Sequence, residues 1–234
     1  GIIADVGGPT ANMYGFTCRK KTDAFACRDR ACLYPEVCPN LNRDHLPQID
    51  LLKKLRQIPG IKHVFVASGL RHDLVMADEK NGRSYLEELV RHHVSGQLKI
   101  APEHISEHVL KLMRKPGGAC LLAFKDLFYE INRDCGKKQF LTYYLIAAHP
   151  GCTLEDMEDL KRYATEELRT NPEQVQIFTP LPSTWAGAMY HTEMDPQDGS
   201  AIFVQKDRYK RQEQKDIMVA KEHIRKRSRK KQPH

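Results

Sequence analysis

The sequence lacks a long hydrophobic run and a leader-like opening segment. No apolar stretch reaches the roughly 18 residues that a membrane span needs. The first residues do not show the basic, apolar and small-residue succession of a secretory leader. Membrane insertion and export are therefore not indicated, and we expect a cytoplasmic protein with no membrane partner.

The sequence also lacks the even cysteine count of a disulfide scaffold. Its seven cysteines are an odd number, and in a reducing compartment clustered thiols more often bind metals or take part in catalysis. A hydrophobic content of 41% in 234 residues is enough to bury one sizeable core. The sequence predicts one domain over residues 1–192 and a polar, basic extension over 193–234.

The net charge of +7 comes mostly from the end of the chain. Residues 221–231, KEHIRKRSRKK, carry seven Lys or Arg residues against one Glu. Such a run can hold a phosphate backbone, but no aromatic residues interleave with it to stack on bases. A solvated terminus and a contact with RNA or another polyanion both stay open.

Five short apolar runs alternate with amphipathic helical segments, which is typical of a parallel sheet with crossover helices. A helix is predicted over residues 46–58, because a proline stands near its start and its apolar residues recur on one face. A further helix is predicted from 209 to about 224. Ser84, Ser106 and Thr153 resemble helix N-caps, and Ser84 with Glu87 and Thr153 with Asp156 have the spacing of capping boxes. The predicted strands cover 2–6, 63–68, 97–101, 139–148 and 174–179. The predicted fold class is α/β.

Each predicted strand ends in glycine, proline or a polar side chain. Right-handed crossovers bring the ends of parallel strands to one rim, where barrels of this type carry their chemistry. Gly7 and Gly8 admit a ligand close to the backbone, and Pro150–Gly151 precede a helix N-terminus suited to a carboxylate or phosphate. Glycine and proline also mark turns that bind nothing. Because all five strand ends carry such residues and are expected at one rim, a binding site is favoured there.

Four cysteines fall within an insertion over residues 18–45, with the spacing C-x8-C-x4-C-x5-C. They are Cys18, Cys27, Cys32 and Cys38. The spacing is not that of a zinc ribbon, which has two tight C-x2-C pairs. The basic residues among them, Arg19, Lys20, Lys21, Arg28 and Arg30, would favour thiolates and offset the charge of a metal centre. Structural zinc, an auxiliary Fe-S cluster, and free or opportunistically oxidised thiols all stay open.

Three stretches resemble the fourth, fifth and sixth strand exits of radical S-adenosylmethionine (SAM) enzymes. They are APEHISEHVLKLMRKP at 101–116, AAHPGCTLEDM at 147–157 and VQIFTPLPSTWAGAMYHT at 175–192. The opening DVGGPTANMYGFTC and the cysteine block resemble more specifically the YgiQ-like family of that superfamily. The resemblance reaches to about Thr192 and rests on the order and spacing of the motifs. It implies a partial (β/α)6 TIM-like barrel, with five of six parallel strands present and a C-terminal extension.

The resemblance also implies a [4Fe-4S] cluster whose ligands lie outside this chain. In the superfamily, a C-x-x-x-C-x-x-C loop after the first strand holds that cluster, and the sequence has no such triplet. The first β/α unit would then be missing, and this fragment would be inactive by itself. The implied activity is hydrogen abstraction from an unknown substrate by a 5′-deoxyadenosyl radical, with an electron donor such as flavodoxin or ferredoxin.

The resemblance assigns SAM-binding residues position by position, while the catalytic residues stay unassigned. Gly7, Gly8 and Pro9 match the glycine pair at the methionyl amino group, although Pro9 stands where many relatives have an acidic residue. Ser68 and Arg71 match the third exit, where Arg71 could pair with the methionyl carboxylate. Glu103 matches the acidic residue that accepts from ribose hydroxyls. The turn beside the adenine and the wall after the last strand comprise His149, Pro150, Gly151, Thr179 and Pro180.

Two functions of other classes stay open. Lys99 lies within a predicted strand, where the Schiff-base lysine of an aldolase-type barrel would be found. A lysine paired with a neighbouring carboxylate is the more common case. A nucleic-acid-binding module would combine a four-cysteine metal site with the basic tail.

Overall fold

The structure, a computed structural model, describes residues 1–8, 11–20, 27, 31–172 and 175–219. Pro9 and the basic run 221–231 of the sequence analysis lie outside these residues. The chain divides into two compact units. Unit 1 comprises residues 1–103 and 114–144, and unit 2 comprises 104–113 and 145 onward. The predicted boundary after residue 192 stays a prediction.

Unit 1 contains most of the strands. Its strands are β1 (Ile2–Ile3), β2 (Thr17–Cys18), β3 (Leu41–Asn42), β4 (His63–Val64), β5 (Gln97–Glu103) and the first part of β6 (Phe140–Ala147). Its helices are α1 (Leu46–Arg56), α2 (His72–Ala77), α3 (Gly82–Glu88), a π-helix (Leu89–His93) and α5 (Ala119–Asp134). The helix predicted over 46–58 is thus confirmed as α1.

In its described residues, unit 2 contains the remainder of β6, four helices and a further strand. Its elements are α4 (Glu107–Leu112), α6 (Leu154–Glu166), β7 (Val175–Ile177), α7 (Trp185–Thr192) and α8 (Arg208–Val219). Helix α8 begins one residue before the start predicted for it, and it packs against α6 and β7.

Parallel pairing runs through both units, as expected for an α/β chain. In unit 1, Ile2 and Ile3 of β1 pair with His63 and Val64 of β4, and Leu70 bridges in parallel to Ile100 of β5. In unit 2, Leu145–Ala147 of β6 pair in parallel with Val175–Ile177 of β7. None of the sheets in the described residues closes on itself.

Alternating burial along the strands places the core. Leu98 and Ile100 of β5 are fully buried, whereas Lys99 between them is half-buried. Helix α5 is amphipathic and buries Phe124 and Phe128 in unit 1. In unit 2, Leu160 of α6 is fully buried, as is Met218 of α8. No helix in these described ranges is long and apolar enough to cross a membrane.

The structure confirms one of two predicted helix N-caps and contradicts the other. Ser106 is the N-cap of α4, as predicted. The prediction for Ser84 is wrong, because α3 starts at Gly82 with Asn81 as its N-cap. The amides of Lys80 and Asn81 donate to the carboxylate of Asp78, at 3.2 and 2.9 Å. This turn fixes the start of the helix two residues before Ser84.

The capping box predicted at Thr153 is confirmed. Its hydroxyl oxygen accepts from the Asp156 amide at 3.2 Å, and the Asp156 carboxylate accepts from the Thr153 amide at 2.8 Å. We expect Thr153→Ala to lower the free energy of unfolding by about 1 kcal/mol, measured by urea denaturation followed by circular dichroism. Thr165→Ala, an exposed change inside the same helix, should stay within about 0.5 kcal/mol of the parent. Equal effects of the two changes would contradict this role for Thr153.

Candidate functional site in two parts

The exits of β1 and β4 are joined by the carboxylate of Asp5. Its Oδ1 accepts from the amides of Ala67 and Ser68 at 2.8 and 3.2 Å, and its Oδ2 accepts from the Ser68 hydroxyl. Burial alone would raise the pKa of Asp5, but the Ser68 hydroxyl and the two amides outweigh burial and lower that pKa. Two predicted site segments therefore lie together in unit 1.

Gly7 fits this junction because it has no side chain. A Cβ added to Gly7 would lie 2.7 Å from the Cβ of Ser68, which no ordinary contact allows. A Cβ added to the next residue, Gly8, would meet nothing within 4 Å. Of the predicted glycine pair, Gly7 is thus packed closely against the Ser68 side chain, whereas Gly8 faces open space.

Arg71 is held by a carboxylate two residues further along. Its Nε donates to Oδ1 of Asp73 at 3.0 Å, and its Nη2 donates to Oδ2. Burial would raise the pKa of Asp73, but this two-pronged contact with Arg71 outweighs burial and lowers it. The Nη1 atom of Arg71 makes no hydrogen bond within the described ranges, so it is available to a further acceptor.

His72 lies between these two residues in the chain and is buried. Burial lowers the pKa of its imidazole to about 4, an effect that the charge of Asp73 opposes and the charges of Lys115 and Arg71 reinforce. Its Nδ1 atom has no hydrogen-bond partner among the residues that the structure describes. A buried polar nitrogen therefore stands unsatisfied at the exit of β4.

Glu103 ends β5 in a left-handed conformation with φ of 67°. Its Oε1 accepts from Nζ of Lys115 at 2.7 Å, and the same ammonium group donates to the carbonyl of Ala101 at 2.9 Å. Burial lowers the pKa of Lys115, Glu103 opposes this effect, and the charge of Arg71 adds to it. Lys115 thus contacts Glu103 directly and lies within electrostatic range of Arg71 and Asp73, which places the exits of β4 and β5 in one charged cluster of unit 1.

A buried polar network lies next to this cluster. The Asn12 side chain accepts from the Arg71 amide at 2.8 Å and donates to the Arg71 carbonyl at 3.0 Å. The same Asn12 amide contacts Nε2 of His45 at 3.2 Å. Oδ2 of Asp78 accepts from the amide and from Nδ1 of His45, at 2.9 and 2.8 Å. The network connects both ends of the cysteine-bearing insertion to the exit of β4.

In unit 2, the exits of β6 and β7 meet through aromatic rings. The rings of His149 and Phe178 are 5.0 Å apart in an edge-on arrangement, and Nδ1 of His149 lies 2.8 Å from the Pro150 carbonyl. Thr179 is exposed, and Pro180 is half-buried. The predicted adenine turn and the predicted last-strand wall are therefore neighbours within unit 2.

Gly151 is engaged by the chain that follows α7. It has φ of 87°, and its amide donates to the Phe203 carbonyl at 2.7 Å. A Cβ at this position would lie 2.3 Å from Cδ1 of Leu112. The Gly151 amide, in the turn before the helix N-terminus predicted to suit an anion, therefore has a protein acceptor in this structure.

A second polar group surrounds this turn in unit 2. Nε2 of the buried His104 lies 3.5 Å from the sulfur of Cys152. Gln214 of α8 accepts from the Ala148 amide at 2.8 Å and donates to the Cys152 carbonyl at 3.2 Å. Burial raises the pKa of the Cys152 thiol to about 12, so this cysteine stays protonated at neutral pH. The group supports the turn structurally.

Lys99 and the four cysteines are the remaining predicted residues of unit 1. Lys99 is half-buried, and its positive charge contributes to lowering the pKa of Asp5. Cys18, Cys27, Cys32 and Cys38 all line one small cavity in the insertion. No group of three His, Cys, Asp or Glu side chains in the described part of the chain is arranged to hold a metal ion.

Sequence reasoning missed the residues that hold the predicted ones. Asp73 and Lys115 bind Arg71 and Glu103, while Asn12 and Asp78 anchor the neighbouring network. The weak signal for Asp73 was a charged residue two positions after Arg71. Lys115 lies within the same 101–116 stretch as Glu103, but the resemblance gave it no role because it lies outside the strand exits.

Comparison with known proteins gives relatives whose names assign no activity. No family model matches the chain. It is 58% identical over 226 residues to a UPF0313 protein of Fusobacterium nucleatum, and this match covers 97% of the chain and 40% of that protein. It is 48% identical over 218 residues to a UPF0313 protein of Methanosarcina acetivorans, which covers 93% of the chain and 29% of that protein.

A UPF0313 protein of Clostridium perfringens gives a further match, 42% identical over 221 residues, with 33% of that protein covered. The chain therefore spans less than half the length of each of these three relatives. Over nearly all of its own length, it corresponds to a segment found in UPF0313 proteins of bacteria and archaea.

Proposed function

We propose that this chain is the SAM-binding part of a radical SAM enzyme, with the strands of a partial (β/α)6 barrel. The observation that carries the proposal is the charged cluster of unit 1, in which Lys115 contacts the predicted residue Glu103 and lies close enough to the predicted residue Arg71 to feel its charge. The motif resemblance of the sequence supports the same function. The cysteines that would hold the [4Fe-4S] cluster are not among the residues of this chain.

The methionyl end of SAM fits the exits of β1 and β4. The backbone of Gly8 faces open space and can receive the amino group. The unoccupied Nη1 of Arg71 can donate to the carboxylate, and Asp73 fixes the plane of the guanidinium. The unsatisfied Nδ1 of His72 marks the same exit as one that a polar ligand would complete.

The ribose fits the exit of β5. Lys115 occupies Oε1 of Glu103 at 2.7 Å, while Oε2 makes no hydrogen bond within the described ranges and can accept from a hydroxyl group. Beside a reduced [4Fe-4S] cluster, bound SAM supplies one-electron chemistry that ends in hydrogen abstraction from a substrate. The residues of this chain bind and orient the cofactor.

The proposal is tested on the full-length protein, reconstituted with iron and sulfide without oxygen. Reduction in the presence of SAM should release 5′-deoxyadenosine. Glu103→Gln and Arg71→Ala should each weaken SAM binding by about 10- to 100-fold, since each loses a hydrogen bond to a charged group. Glu79→Gln, a change of the same chemistry at an exposed position, should bind SAM like the parent.

Two results would overturn the proposal. One is the absence of deoxyadenosine from protein that contains an intact, reducible cluster. The other is equal SAM affinity in the Glu103→Gln, Arg71→Ala and Glu79→Gln variants. The two other functions predicted from the sequence, an aldolase using Lys99 and a nucleic-acid-binding module with the basic tail, stay predictions, and the tail lies outside the described residues.

A further inference from the structure

The four cysteines of the insertion line one cavity although up to 20 positions separate them in the chain. The cavity has a volume of about 30 Å³, and Lys20 and Leu41 also line it. Cys18, Cys27 and Cys32 are exposed thiols outside any disulfide. Four cysteines thus line one small space in unit 1.

Backbone hydrogen bonds position three of these cysteines. Cys18 of β2 pairs with Leu41 of β3 in an antiparallel hairpin. The Leu41 amide donates to the Cys38 carbonyl at 2.9 Å, and the Cys38 amide donates to the Cys32 carbonyl at 2.8 Å. The Arg19 amide closes the hairpin by donating to the Asn40 carbonyl at 2.7 Å. The frame around the cavity therefore exists before any ligand binds.

The chemistry of the walls indicates a thiophilic metal ion. Four cysteine sulfurs match the tetrahedral tetrathiolate site of structural zinc. A cavity of about 30 Å³ has room for one ion, whereas a four-iron cluster brings four metals and four sulfides. The ammonium group of Lys20 would offset the negative charge that a zinc tetrathiolate carries.

We propose that Cys18, Cys27, Cys32 and Cys38 bind one Zn²⁺ ion that fixes the insertion. No three of these sulfurs, among the described residues, are yet arranged around a common metal position. Binding therefore draws the thiols inward from the cavity walls, and the four thiol protons leave to solvent. The site is independent of SAM and of the [4Fe-4S] cluster of the proposed function.

The test measures metal binding by the full chain, kept reduced and stripped with a chelator. Titration with Zn²⁺ alone against a chromophoric chelator should give one equivalent of zinc per chain. Co²⁺ should give the intense visible absorption of tetrahedral thiolate coordination. Cys32→Ser should weaken zinc binding by at least about 100-fold, because even changes outside the ligand shell cost about 10- to 100-fold.

Two further variants separate lost coordination from misfolding. Cys32→His keeps a zinc ligand at the same position and should retain stoichiometric zinc. Cys135→Ser removes a half-buried thiol at the end of α5 and should bind zinc like the parent. Failure to bind zinc, or equal affinity in the Cys32→Ser and Cys135→Ser variants, would overturn the proposal. Iron and acid-labile sulfide at these cysteines, in protein that does not take up zinc, would also overturn it.

Discussion

Asp78→Ala is expected to lower the free energy of unfolding by about 4 kcal/mol. The side chain is only 4% exposed, and it accepts from the His45 amide, from Nδ1 of His45 and from the amides of Lys80 and Asn81. Burial would raise the pKa of Asp78, but these donors outweigh burial and lower it. Alanine leaves all four donors without their acceptor.

Urea denaturation at pH 7, followed by circular dichroism, measures this loss. Asp50→Ala, at an exposed position of α1, is the matched control and should stay within about 0.5 kcal/mol of the parent. Asp78→Asn keeps one acceptor oxygen and should fall between the two. A loss below about 1 kcal/mol for Asp78→Ala, the net worth of one ordinary hydrogen bond, would show that this carboxylate is not an anchor.

Acidification from pH 7 to pH 4 is expected to destabilise the protein by about 3 kcal/mol for each of two buried histidines. Burial lowers the pKa of His72 and that of His104 to about 4, while the nearby carboxylates of Asp73 and Asp156 oppose the shift. The unfolded chain titrates these groups near 6.5, so it binds more protons than the folded chain between pH 6.5 and 4. Stability is therefore highest above pH 6.5, falls progressively between pH 6.5 and 4, and loses nothing further from these two groups below about pH 4.

Unfolding free energies at half-unit pH intervals measure this loss. In the His72→Leu variant, the loss of unfolding free energy between pH 6.5 and 4 should be smaller by about 3 kcal/mol, the contribution expected of one histidine. Stability at pH 7 should change little, because Nδ1 of His72 has no partner in the described ranges. The depressed pKa values of Asp73 and Asp156 place their contribution below pH 4. An unchanged slope in the variant would rule out His72 as a source.

Local patterns were sufficient to place most regular elements. All five predicted strand positions contain a strand, and the helices expected at 46–58 and after 209 are α1 and α8. The Thr153 capping box was readable because its two partners are three residues apart. Each of these features is determined by residues close in sequence.

Long-range contacts account for what the sequence did not predict. The start of α3 depends on Asp78, whose other partner, His45, is 33 positions away. The hairpin of β2 and β3 pairs residues over 20 positions apart, with only two residues in each strand. Arg71 and Glu103 were predicted from strand exits, but the contact of Lys115 with Glu103 and its nearness to the charge of Arg71 arise only in the folded chain.

Asn12 and His45 are in contact at 3.2 Å. The chain between them therefore starts and ends at one place in unit 1. Loop closure depends only weakly on length, about 0.6 kcal/mol for each doubling. A change in the length of the chain between Asn12 and His45 should therefore cost unit 1 little free energy of unfolding, as long as these two residues keep their contact.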